Sequence, residues 1–125
     1  MKGCVKSIVV ITLAVMALFS GAVNAGDTLE KKKIEFLIAS VENLQGAKFL
    51  RNSTEHTGKE AAEHLRMKLQ KAGDRVRTAD DFIRLCASKS FLSGKAYMIR
   101  SSAGKTIPSE EFFREKLKEY TATVQ

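Results

Sequence analysis

Apolar residues recur at steps of three and four in four segments after residue 26, a spacing typical of amphipathic helices. The first segment predicts a helix from about Thr28 to Leu44, capped by Asp27 or Thr28 and ending before Gly46. Three consecutive lysines in this helix fall on its polar side, so its other side is expected to be buried. The apolar positions are Ile34, Leu37, Ile38, Val41 and Leu44.

Two further helices are predicted to begin at threonines. Thr57 precedes Glu60 by three residues, the spacing of a capping box, in which each side chain hydrogen-bonds to the other residue's amide. Gly73 indicates the end of that helix. Thr78, followed by acidic residues in the first turn, is expected to cap the third helix. The apolar repeat of the third helix places Cys86 on its core face.

The other segments predict a small antiparallel sheet and a fourth helix. KFLR at residues 48–51 is a candidate edge strand, and residues 52–54 are predicted to form a turn. Residues 96–101 and 105–107 are predicted to form a β-hairpin, after which Ser109 caps the last helix. The predicted fold class is therefore mainly α (α+β): a four-helix small domain with a small antiparallel β-hairpin or three-stranded sheet.

Residues 1–25 have the pattern of a signal peptide. Two lysines precede an almost continuously apolar run at residues 8–19, and small residues follow it. We predict cleavage after Ala25, which leaves residues 26–125 as a single mainly helical domain, periplasmic or secreted from a bacterial cell. Because the apolar run is short, we expect no permanent membrane anchor. An uncleaved N-terminal anchor is the alternative.

The charge indicates a class of partner. The net charge is +7, and removal of the predicted signal peptide leaves 19 basic and 14 acidic residues. This excess favours polyanions, although a well-solvated surface would also explain it. We expect an anionic envelope component or another envelope protein as partner, and no nucleic acid, because export separates the protein from most nucleic acid. Only Cys86 follows the predicted signal peptide, so no intramolecular disulfide is expected.

The histidines do not form a known catalytic or metal-binding motif. His56 and His64 flank Glu60, but eight residues span about 12 Å along a helix axis, too far for one zinc ion to bind both. We therefore predict no metal site, no cofactor and no catalytic residue. A small hydrolase that pairs His56 with a loop serine is an alternative. The candidate serines are Ser88, Ser90 and Ser93.

Four stretches of the sequence resemble one protein family in the same order. They are FLRNSTEH (49–56), AAEHLRMKL (61–69), TADDFI (78–83) and ASKSFLSGKAYMIR (87–100). Over about residues 29–120 the chain resembles the YfeK-like family of small exported bacterial proteins, a domain of unknown function. The resemblance implies an exported single domain and brings no activity with it. Proline is usual in the family where this chain has Ala96, so the loop here is expected to be less rigid.

Polar positions that recur in the resembled family, together with a nearby lysine, fall before and within helix two and after helix three. A helical bundle could bring these places to one end of the molecule. We predict that they form one polar cluster, which is either a ligand-binding site or a hydrogen-bonded tie between two loops. The predicted cluster is Arg51, Asn52, His56, His64, Ser88, Ser93, Lys95 and Tyr97.

The leading functional hypothesis is a non-enzymatic envelope protein that binds a ligand or partner. It rests on the basic composition and on the absence of a recognisable catalytic constellation in the sequence. Besides the hydrolase, a structural or assembly role in the envelope is an alternative. That role would use an exposed apolar face containing Phe91, Leu92 and Phe112.

Overall fold

The computed structural model describes residues 25–125, in which four α-helices combine with four β-strands. Their order is α1 (Ala25–Glu42), β1 (Lys48–Arg51), β2 (Thr54–His56), α2 (Gly58–Ala72), α3 (Ala79–Phe82), β3 (Met98–Arg100), β4 (Thr106–Pro108) and α4 (Ser109–Thr123). A 3-10 turn, Gly73–Arg75, follows α2, and a π-turn, Ile83–Ala87, continues α3. The four predicted helices are therefore confirmed, with an added π-turn in the third.

Side-chain caps determine where α2 and α3 begin, as predicted. The Glu60 amide donates to Thr57 Oγ1 at 3.1 Å, and the Thr57 amide donates to the Glu60 carboxylate at 3.3 Å. The same reciprocal bonds join Thr78 and Asp81 at 3.0 and 3.2 Å. Gly73 follows α2 with a φ of +52°, a conformation that glycine adopts without strain.

The starts of α1 and α4 differ from the prediction. Asp27 and Thr28 lie inside α1. Ser109 is the first residue of α4 and does not cap it: the side chain is buried, and its hydroxyl donates to the Ala87 carbonyl at 2.5 Å. The Ser109 amide donates to the Tyr97 carbonyl at 2.8 Å. Ser109 therefore connects the start of α4 to the π-turn and to the residue that precedes β3. The spacing of residues in the sequence does not indicate these contacts.

The core lies where the helices pack on each other and on the sheet, and α1 and α2 make its most extensive helix–helix contact. Gly58 begins α2, and a Cβ atom at this position would lie 2.3 Å from the Val41 carbonyl oxygen of α1. Such a distance is far inside van der Waals contact, so glycine is required for this approach. The largest fully buried apolar side chains are Phe82, Phe113, Leu37, Leu65, Ile83 and Val41.

The sheet contains four antiparallel strands in the order β2-β1-β3-β4, which exceeds the predicted hairpin or three-stranded sheet. The β3–β4 hairpin is confirmed, with Ile99 opposite Ile107. β1 forms as predicted, but in the sheet interior and not at an edge. β2 covers its other side and pairs His56 with Phe49. The three residues of β2 are Thr-Glu-His, so no apolar alternation could indicate this strand.

Cys86 lies in the π-turn and is 1% exposed, as its apolar spacing predicted. Burial raises the pKa of its thiol. Ser88 closes the π-turn, because its hydroxyl donates to the Ile83 carbonyl at 2.5 Å. The chain then leaves the helical segment and enters the loop of residues 88–97.

The predicted signal peptide, residues 1–25, lies outside the described residues except for Ala25. Its cleavage therefore stays a prediction. Within residues 25–125, no helix is both long enough and apolar enough to cross a membrane.

Candidate functional site

Tyr97 is buried and contacts two other residues of the predicted cluster, Ser88 and His64. Its amide donates to the Ser88 carbonyl at 2.9 Å, so the backbone holds it in place. The side chain is 2% exposed and packs against Phe49, with ring centroids 5.4 Å apart. Its hydroxyl accepts a hydrogen bond from Lys68 Nζ at 3.1 Å. Tyr97 therefore connects the sheet to α2.

Lys68 connects α2 to the loop of residues 88–97. Its ammonium also donates to the Lys89 carbonyl at 3.1 Å and lies 4.8 Å from the Tyr97 ring centroid, within cation–π range. Lys68 was not among the residues of the predicted cluster. Its spacing of four residues from His64 was the available signal, since such residues share one helix face.

His64 lies on α2 with its ring edge-on to Tyr97, the centroids 6.3 Å apart. Its Nε2 atom has no solvent access and no hydrogen-bond partner among the described residues. Burial, followed by nearby positive charges, lowers the pKa of His64 to about 4. The imidazole is therefore neutral at pH 7, because burial and the neighbouring positive charges both disfavour its protonated form. The charges include those of Arg51, Lys68 and Lys71.

Folding stability is expected to fall as the pH is lowered from 6.5 to about 4, in part because of His64. The folded-state pKa lies below the unfolded value, so the unfolded chain takes up a proton first. The contribution of His64 is thus fully present above pH 6.5 and is lost as the pH approaches 4. Allowing for solvent screening of a half-buried group, the loss is about 1–2 kcal/mol.

Urea denaturation of the wild type and His64→Gln at about pH 7 and about pH 4.5 measures this contribution. Glutamine stays neutral at both values, so the variant is expected to lose less stability on acidification. Every other titrating group is common to the two proteins, which makes their difference specific to His64. Equal losses in both proteins would contradict the assignment.

His56 ends β2 beside the start of α2. Its Nδ1 atom lies 3.4 Å from the Glu60 carboxylate, and its Nε2 atom is inaccessible and lacks a hydrogen-bond partner in the described part of the chain. Within residues 26–125, no group of three or more His, Cys, Asp and Glu side chains is placed to hold a metal ion. His56 and Glu60 are therefore a local pair at the helix start.

The loop of residues 88–97 is tied to the β1–β2 hairpin by two predicted residues. Asn52 and Ser53 form the hairpin turn with φ values of +51° and +66°, a left-handed conformation that asparagine tolerates. Asn52 Oδ1 accepts a hydrogen bond from the Ser93 hydroxyl at 2.7 Å. The Ser93 oxygen accepts another from the Lys95 amide at 3.3 Å. The two loops therefore meet, as expected for a hydrogen-bonded tie.

Within the described residues, the side chains of three other predicted residues make no hydrogen bond with the rest of the predicted cluster. The Ser88 hydroxyl bonds within the π-turn, the Lys95 side chain is exposed, and Arg51 is half-buried at the end of β1. Two surface depressions, one along α4 and one beside β4, contain none of the eight predicted residues. The predicted residues thus lie in two adjoining loops and in α2, where they make several separate contacts. They do not line either of these two depressions.

One segment carries the whole positive excess of residues 26–125. Residues 82–109 contain five basic residues and no aspartate or glutamate, whereas basic and acidic residues balance in the rest of that range. Arg84 pairs with Asp81 at 3.0 Å, and Arg100 pairs with Glu55. The charges that stay unneutralised by these pairs are therefore concentrated in the loops of the segment.

Four basic residues lie in the loop of residues 88–97 or in the elements that contact it. Lys68 bonds to the loop directly, and Arg51 adjoins Asn52, which bonds to Ser93. We call Arg51, Lys68, Lys89 and Lys95 the basic end. In the described part of the chain, none of these four side chains lies within salt-bridge distance of a carboxylate.

Comparison with known proteins agrees with the resemblance seen in the motifs. Residues 28–121 match the family of unknown function DUF5329. The chain is 35% identical over 68 residues to the uncharacterized protein YfeK of Salmonella typhimurium, and this match covers 54% of the chain and 57% of that protein. The chain thus spans little more than half the length of this curated relative. No solved structure matches it. Because the family match extends over most of its length, this chain belongs to the DUF5329 family, the YfeK-like family of unknown function that its motifs indicated.

Proposed function

We propose that this protein is exported after cleavage behind Ala25 and binds an anionic component of the bacterial envelope through its basic end, without catalysing a reaction. The observation that carries the proposal is the charge of the loop segment: residues 82–109 contain five basic residues and no acidic one, and they include Lys89 and Lys95 of the basic end. Some cations elsewhere are neutralised, as Arg66 is by Glu42 at 2.6 Å and Arg114 is by Asp80 at 2.8 Å. Unpaired cations on one surface attract anions and speed their association.

The hydrogen bonds of the loop serines favour binding over hydrolysis. A serine nucleophile needs a general base within hydrogen-bond reach. Instead, the Ser88 hydroxyl donates to the Ile83 carbonyl and the Ser93 hydroxyl donates to Asn52. Ser90 Oγ is buried and accepts from the Ser93 amide at 3.3 Å. These bonds give each hydroxyl a role in holding the loop.

The packing of Phe112 bears on the assembly alternative. Phe112 is half-buried, packs on the core and lies edge-on to Phe113 with centroids 5.3 Å apart. Phe91 and Leu92 are exposed in the loop of residues 88–97. Of the three residues expected on an exposed apolar face, Phe91 and Leu92 are therefore exposed and Phe112 is partly covered by the core.

Charge reversal at the basic end tests the proposal. The protein is purified from the envelope fraction, and its mass is measured by mass spectrometry. The mass of a chain that begins at Gly26 is expected, whereas the mass of a chain that begins at Met1 would contradict cleavage. Affinity for fluorescent dextran sulfate, a soluble polyanion, is then measured for the wild type and for Lys89→Glu/Lys95→Glu. The double variant is expected to bind about tenfold more weakly or worse, since each reversed charge removes a favourable contact and adds a repulsive one.

Lys31→Glu/Lys32→Glu is the matched control, because it changes the net charge equally at two exposed positions of α1. Its affinity is expected to stay within about threefold of the wild type. If the two variants weaken binding equally, net charge and not the basic end determines binding. If the wild type does not bind the polyanion, the proposed function is wrong.

A further inference from the structure

Two neighbouring apolar side chains of the loop are almost completely exposed. Phe91 is 87% and Leu92 97% exposed, whereas Phe82 and Phe113 are completely buried. The fold therefore gains nothing from the apolar character of Phe91 and Leu92, and each presents apolar surface to water. Exposed apolar residues that are adjacent, rather than scattered singly, indicate an interaction site.

The backbone of the loop is held in one shape around this pair. The Ser90 amide donates to the Lys95 carbonyl and the Gly94 amide donates to the Ser90 carbonyl, both at 2.9 Å. Lys89 pairs with Ala96 across the base of the loop. The bonds from Lys68 and Asn52 hold the loop against α2 and the hairpin. Binding through Phe91 and Leu92 would thus need little further ordering of the backbone.

The charges around the pair define the partner chemically. Lys89 and Lys95 lie at the two ends of the loop, and the segment of residues 82–109 has no acidic residue. An apolar tip with a cationic rim matches the interface of an anionic lipid bilayer, where acyl chains lie just below phosphate groups. A pair this small fits a protein partner poorly. Protein interfaces bury about 800 Å² on each side, whereas a large aromatic side chain supplies about 150–250 Å².

We propose that Phe91 and Leu92 insert into the surface of an anionic phospholipid bilayer while Lys89 and Lys95 contact its phosphates. This inference rests on the proposed function, because it identifies anionic lipid as the envelope component that the basic end binds. It adds an apolar contribution that a soluble polyanion cannot use. The apolar and the charged contributions can therefore be separated by experiment.

Sedimentation with vesicles tests the insertion. Vesicles of phosphatidylglycerol and phosphatidylcholine are compared with vesicles of phosphatidylcholine alone. The wild type is expected to bind the anionic vesicles at least tenfold more tightly, and Phe91→Ser/Leu92→Ser is expected to lose at least tenfold on the anionic vesicles. The same variant should keep wild-type affinity for dextran sulfate, because its charges are unchanged. Leu29→Ser/Val124→Ser, at two other exposed apolar positions, should bind the vesicles as the wild type does.

A tryptophan at the tip reports insertion directly. The chain contains no tryptophan, so Leu92→Trp introduces a single tryptophan, whose emission can be excited selectively over that of the two tyrosines. Its emission is expected to shift to shorter wavelength, and to be shielded from an aqueous quencher, only when anionic vesicles are present.

The outcomes separate the two proposals. The insertion is overturned if Phe91→Ser/Leu92→Ser binds the anionic vesicles as tightly as the wild type does. It is also overturned if the emission wavelength of Leu92→Trp does not change when anionic vesicles are added. Binding of dextran sulfate without binding of vesicles also overturns it, and leaves the proposed function standing. Equal binding to both kinds of vesicle contradicts the role of the lysines. Failure of the wild type to bind dextran sulfate contradicts the proposed function and, because the insertion rests on it, the insertion as well.

Discussion

Gly58→Ala is expected to destabilise the protein by about 2–3 kcal/mol. The added methyl group would lie 2.3 Å from the Val41 carbonyl oxygen and 3.3 Å from that of Glu42. Both neighbours are backbone atoms at the end of α1, so no side-chain rotation relieves the clash. The two helices would have to separate, which disturbs the most extensive helix–helix contact of the core. Urea denaturation, with a circular-dichroism signal, measures the change.

Gly26→Ala is the control for this substitution. A Cβ atom at Gly26 has no neighbour within 4 Å, and alanine favours the helix more than glycine does. Its stability is expected to equal or slightly exceed that of the wild type. If Gly58→Ala and Gly26→Ala have the same midpoint of denaturation, α1 and α2 do not approach as closely as described.

Phe82→Ala is expected to cost about 3–5 kcal/mol, the largest effect of any substitution considered. Phe82 is completely buried and lies edge-on to Phe113, with ring centroids 6.2 Å apart. Its removal leaves a cavity where α3 meets α4 and takes away an aromatic contact. Because domains of this size are marginally stable, partial unfolding at physiological temperature is the expected observation. Thermal and urea denaturation measure the loss.

Phe91→Ala makes the same chemical change at an exposed position. Phe91 is in contact with water over most of its surface, so the free energy of unfolding is expected to change by no more than about 0.5 kcal/mol. The comparison separates the contribution of burial from any general effect of losing a phenylalanine. Equal destabilisation by the two substitutions would mean that Phe91 is buried in solution.

Features that depend on nearby residues could be predicted from the sequence. The two capping boxes join residues three positions apart, so the spacing of Thr57 and Glu60 contains all the information that the contact needs. The burial of Cys86 followed from helical periodicity in the same way. These helix starts and core faces are set within one or two turns of chain.

Features that depend on distant residues could not be predicted. β1 lies inside the sheet because β2 and β3 pair on its two sides, and the polar residues of β2 gave no pattern. Ser109 has the residue type and position of a helix cap, but its hydroxyl bonds to Ala87, 22 residues away. The choice between a cap and a buried tie is made by tertiary packing.

The candidate site was predictable in part for the same reason. The meeting of the two loops was expected, and the bond from Ser93 to Asn52 joins them. The contact of Lys68 with Tyr97 spans 29 residues of sequence, and helical spacing alone could not indicate which loop α2 would meet. Exposure of Phe91 and Leu92 was expected only under the assembly alternative, because an apolar pair in a loop is equally compatible with burial.

The strand order has a consequence for self-association. β2 and β4 form the two edges of the sheet, and edges with free amides and carbonyls can recruit strands from other molecules. Both edges are only three residues long; β2 has Glu55 at its centre, and β4 ends in Pro108, which has no amide proton to donate. The sheet is therefore poorly suited to growth by strand addition, which protects the protein from aggregation at high local concentration.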